Sequence, residues 1–122
     1  MKHHILTATL LTALTAGFAF AADDDPIELA MKYAHKAPKG EKKICEKIVE
    51  GTATDDEVKK TVELYKAAAV AKPPKGDEAA YKEKFAKLLT ATEEVAAKKP
   101  GANAAYKAAV NCKACHSEHK PD

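Results

Sequence analysis

The chain has 122 residues, enough for one domain, with 20 basic and 18 acidic side chains and a formal net charge of +2. That balance excludes the clustered basic surface nucleic-acid binding needs, and the lack of any arginine excludes bidentate guanidinium recognition of phosphate or carboxylate. Large apolar side chains are scarce beyond residue 21, and alanine supplies much of the 46% hydrophobic content, so the core of so small a domain is marginal unless something else fills it.

Taken in chain order, the first segment reads as a leader. "MKHH" is short and basic, an apolar run follows, and Ala19, Phe20 and Ala21 give the small-x-small pattern of a cleavage site. These features predict a secretory signal peptide over residues 1–21, cut after Ala21, and an exported, periplasmic mature domain over 22–122. The run is short for a span of about 20 residues, and aspartates follow it directly, so no stable membrane insertion is expected.

Beyond the leader, alanine, lysine, glutamate and leucine predict helix throughout. The first helix opens with Asp25 as cap, Pro26 in the first position and Glu28 at the positive end. Its apolar face holds Ile27, Ala30, Met31, Ala34 and His35. "APKG" over residues 37–40 interrupts it. The face resumes with Ile44, Cys45, Ile48 and Val49 and stops at Gly51, which predicts one long helix kinked near Pro38 or two short collinear ones. A second helix starts at Thr54 with a capping-box glutamate at Glu57, its stripe formed by Val58, Val62, Tyr65 and Ala69. "KPPKGD" over 72–77 breaks the chain. The third helix is expected over residues 77–98, with Tyr81, Phe85, Leu88, Leu89, Thr92, Val95 and Ala96 facing inward. The fourth is expected over 102–119, carrying Ala105, Ala109, Cys112, Cys115 and His116. Four amphipathic helices with short breaks predict an all-α, antiparallel up-down-up-down four-helix bundle, a fold that builds cofactor sites between facing helices.

The chemistry concentrates in CKACH, residues 112–116. C-x-x-C-H is the attachment pattern of c-type haem: each thiol adds to one vinyl group, and the following histidine lies beneath the iron. On a helix, positions 112, 115 and 116 share one face, so the three bonds can converge on one planar group. Three other readings compete. A thioredoxin-type redox pair needs a βαβ setting at a helix start, and no strand is predicted. A zinc site could use Cys112, Cys115, His116 and His119, with Cys45 or His35 as further donors. A plain disulfide leaves the histidine unexplained. A haem also fills the sparse core.

With this motif on the last helix, the sequence resembles the class II c-type cytochromes, the cytochrome c-prime group and its low-spin relatives. The resemblance covers the whole mature chain in architecture. It implies one covalent haem c, held by Cys112 and Cys115 as thioethers with His116 as proximal iron ligand. It also places the distal side on the first helix, where His35 is the candidate ligand and Met31 the alternative. Lysines, Lys113 and Lys120 among them, would meet the propionates. A homodimer through the first two helices is a further implication. His119 is expected to be exposed at the helix end, and Cys45 to be a small buried apolar residue.

The leading expectation is an exported mono-haem electron carrier serving periplasmic redox partner proteins. The alternative is a c-prime-like protein that binds nitric oxide or carbon monoxide at an open distal site. A third reading is a non-haem metal-binding protein using Cys112, Cys115, His116 and His119. No enzyme is expected, since no catalytic triad, phosphate loop or paired-carboxylate site is recognisable.

Overall fold

The computed structural model describes residues 25–120, so the expected leader over 1–21 lies outside the described residues. All regular structure among the described residues is helical: α1 (Pro26–Ala34), α2 (Ile44–Glu50), α3 (Asp55–Ala69), α4 (Glu78–Ala96), α5 (Ala102–Ala109) and α6 (Cys112–His119).

Local chemistry starts these helices where side chains can satisfy the free backbone N–H groups of a first turn. Asp25 accepts from Ile27 N at 2.9 Å, with Pro26 in the first position. Thr54 and Glu57 form the reciprocal capping box, with Thr54 Oγ1 accepting from Glu57 N at 3.1 Å and Glu57 Oε1 accepting from Thr54 N at 3.0 Å. Asp77 accepts from Ala79 N at 3.0 Å. Gly51 closes α2 in the left-handed conformation, with φ of 78°.

The expected first helix is two short helices. Pro38 lacks an N–H and disfavours helix in the residue before it, and Gly40 takes a φ of 89°. The two pieces pack on different neighbours, α1 chiefly on α3 and α2 chiefly on α5, while α3 packs on α4 and α4 on α5.

The expected continuous fourth helix is also divided. Val110 leaves helical geometry at φ −79°, ψ 66°. Asn111 then caps α6, its side chain accepting from Ala114 N at 3.1 Å. An asparagine side chain that bonds the backbone locally competes with helix continuation, which is why it favours a boundary. The split sets the register of α5: Tyr106 is buried, while Ala105, named with the motif residues on the expected fourth helix, is exposed.

The core rests on aromatic rather than aliphatic bulk. Tyr65, Tyr81 and Tyr106 are among the largest fully buried side chains, with Ile48 beside them. Phe85 meets Tyr65 edge-on at 5.9 Å and Tyr81 at 4.9 Å between ring centroids, arrangements the ring quadrupoles favour. Small residues, Ala30, Ala34 and Ala68, let the helices close around these rings.

Candidate functional site

A cavity of about 380 Å³ opens where α6 meets the middle of the molecule, within the roughly 300–1,000 Å³ typical of ligand and cofactor pockets. Cys112, Cys115 and His116 line it from α6, and Met31 and His35 line it from α1 and its C-cap. The five residues named as thioether or iron ligands therefore line one cavity. Cys45, Phe85, Leu88 and Val110 supply much of the apolar wall.

On α6 the motif occupies the first two turns, with Cys112 in the first helical position. It stands at a helix start, where a long fourth helix would have put it near an end. Cys112 and His116 are exposed and Cys115 is half-buried; none of the three cysteines is in a disulfide. Burial pushes the Cys115 and Cys45 thiols above their ordinary range, so both are neutral at neutral pH. Cys45 is buried, as its place on the apolar face predicts.

His35 is held differently. Burial, reinforced by charge on His116 and Lys43, lowers its pKa from 6.5 to about 4, so its ring is neutral at pH 7. Its Nε2 lies 2.8 Å from Tyr65 Oη, and Tyr65 Oη lies 2.9 Å from Tyr106 Oη. The His35 and Tyr65 rings stack with centroids 5.9 Å apart and planes 19° from parallel. The sequence reading missed this chain. Tyr65 was visible on the α3 stripe, but nothing local points to Tyr106, which lies 41 residues away. Met31 is half-buried against the core and makes no comparable polar contact.

His119 corrects an expectation. It is 4% exposed, not at the surface. Its Nδ1 donates to the Lys75 carbonyl at 3.0 Å, and its ring meets Tyr81 edge-on at 5.5 Å. The loop between α3 and α4 folds over the end of α6 and buries the ring. His119 consequently does not line the cavity, and the zinc set of Cys112, Cys115, His116 and His119 does not converge. Among the described residues no three histidine, cysteine, aspartate or glutamate side chains gather as a metal-ion site. The lysines at the cavity are Lys43, Lys84 and Lys87, where Lys113 and Lys120 had been expected.

No protein-family description, no curated protein and no solved structure matches the chain. Any functional reading rests on the site itself.

Proposed function

We propose that this chain is an exported mono-haem c-type cytochrome of the class II kind that carries single electrons between periplasmic proteins. In this reading α1 with α2, α3, α4, and α5 with α6 are the four legs of an antiparallel up-down-up-down bundle, and the cavity is the haem site. The observation that carries it is the meeting of CKACH with Met31 and His35 at one apolar cavity. The residues fit the group: two uncrosslinked thiols and an imidazole on one helix face, with Met31 and His35 lining the same cavity. A haem c held there supplies a one-electron iron couple tuned by its axial ligands and by burial.

The chain's own residues perform the rest. Cys112 and Cys115 would hold the group through thioethers to α6. His116 offers a ring nitrogen from the next position on the same face. Phe85 and Leu88 exclude water from the cavity wall. Lys43, Lys84 and Lys87 put positive charge at the lining, where acidic groups of a cofactor are met. Lys84 is shared with Glu118, its Nζ 2.7 Å from the carboxylate. The nearly balanced charge gives only weak long-range steering toward a partner.

Binding of a small gas at the distal side is the second reading. It is favoured by one contact: Tyr65 already engages the His35 Nε2 that would otherwise be free to ligate.

The test is covalent attachment. The full chain, produced with a c-type maturation system, should stain for haem after denaturing electrophoresis. Cys112→Ala with Cys115→Ala should abolish the stain. A wild-type chain that carries no haem through denaturation, or a double variant that still does, overturns the proposal.

A further inference from the structure

The hydrogen-bonded chain Tyr106–Tyr65–His35 runs from the core to the cavity wall. We infer that it fixes His35 as the Nδ1–H tautomer, so that His35 offers the cavity a hydrogen-bond donor and not a metal-binding lone pair. Where the proposed haem reading holds, that donor stabilises a small diatomic ligand whose outer atom carries negative charge.

Proton direction along the chain decides the tautomer. Tyr65 and Tyr106 are both 0% exposed, so neither hydroxyl has water to fall back on. The two oxygens are 2.9 Å apart, and His35 Nε2 is 2.8 Å from Tyr65 Oη. Three atoms in a row allow two directions. If Nε2–H donates to Tyr65, one hydroxyl is left buried with no acceptor: that of Tyr106 where Tyr65 donates to it, that of Tyr65 where Tyr106 donates to Tyr65. If Nε2 accepts instead, Tyr106 donates to Tyr65, Tyr65 donates to Nε2, and every O–H is used. A buried donor with no acceptor bears its full desolvation penalty, whereas spare acceptor capacity on a hydroxyl oxygen is tolerated. The second direction wins. A neutral imidazole accepting at Nε2 carries its hydrogen on Nδ1.

Among the described residues Nδ1 of His35 has no hydrogen-bond partner, yet the buried polar side-chain atom sealed off without one is His119 Nε2. His35 Nδ1 is therefore accessible, and the space its residue lines is the cavity. The 2.8 Å bond at Nε2 fixes which way round the ring sits, since a half-turn would put a carbon there. Of the two candidates on the first helix, Met31 alone then keeps a lone pair for iron.

This assignment deepens the proposed haem reading, yet its first half can be tested without it. The probe is the full chain as matured in cells, labelled with nitrogen-15, reduced and treated with carbon monoxide. Ring nitrogen shifts identify the tautomer whether or not haem is attached, and haem staining is scored separately. We expect His35 as Nδ1–H in the wild type, moving toward Nε2–H in Tyr65→Phe. Where haem is present, His35→Leu should shift the carbon monoxide stretch to higher wavenumber, since a donor at the ligand's outer atom lowers it. A wild-type Nε2–H ring, or a low-spin spectrum abolished by His35→Leu but not by Met31→Ala, overturns the inference. So does a carbon monoxide stretch identical in wild type and His35→Leu. An Nδ1–H ring in a chain that never acquires haem supports the tautomer and overturns the proposed function instead.

Discussion

Gly76 sits where the loop between α3 and α4 meets the end of α6. Its φ is 82°, and a Cβ there would lie 2.5 Å from the Glu118 carbonyl oxygen and 2.8 Å from His119 Nδ1. A backbone oxygen in a helix cannot swing aside as a lysine tip can, so alanine would push the loop off α6. Gly40 is the natural control: its φ is 89°, but a Cβ there meets nothing within 4 Å. Gly40→Ala should therefore lose only the left-handed backbone term, about 1–2 kcal/mol. Gly76→Ala should lose clearly more, read as a lower urea midpoint at unchanged slope. Equal losses in the two variants would mean that the loop does not clasp α6. The same clasp explains why the His119 reading failed: its carbonyl partner at Lys75 is 44 residues away, beyond any local pattern.

At the scale of elements, the boundaries set by local chemistry were legible. Asp25, Thr54 with Glu57, and Asp77 each cap within three residues; the first two sit where the cap pattern predicts, and the third stands at the expected start of its helix. The division between α5 and α6 was not legible. Alanines and cysteines keep a helical spacing straight through Val110 and Asn111, and only the packing of Tyr106 into the core shows that the two halves need different registers. Asn111 is the residue that makes the division work, because its side chain replaces the helical partner Ala114 N lacks. Asn111→Ala should cost about 0.5–2 kcal/mol, the usual range for a lost N-cap. The loss should be local, appearing first as faster amide exchange at Ala114. Because Cys112 and Cys115 occupy that same turn, covalent haem yield should fall in parallel. Unchanged exchange at Ala114 would show that the cap does not hold the motif in place.

For the whole molecule, the C-x-x-C-H motif, a local fact, named Cys112, Cys115 and His116, and the resemblance it carried added Met31 and His35, which meet them at the cavity. Neither could name Tyr65 and Tyr106 as their support, because that depends on how α3 and α5 pack against the C-cap of α1. The buried His35 makes the fold itself report on this packing. Its pKa falls from 6.5 to about 4 on folding, chiefly through burial. Between those values the unfolded chain binds a proton that the folded chain does not, so stability rises with pH there and falls as the solution is acidified. The full stabilisation is present above about pH 6.5 and is lost by about pH 4, a change of about 3 kcal/mol at 1.36 kcal/mol per unit. Glu28, Glu78 and Glu118 titrate below their ordinary 4.5 because lysines beside them favour the charged form. Their contribution is lost at lower pH still, so the interval from pH 6.5 to 5 is free of these carboxylates. Urea unfolding of the Cys112→Ala, Cys115→Ala chain across that interval should show stability falling with acid. Adding His35→Gln, which keeps a polar group beside Tyr65 but does not titrate, should remove the part of that slope which belongs to His35. A slope unchanged by the substitution would mean that His35 is not buried in the folded chain, and the wall of the cavity would have to be redrawn.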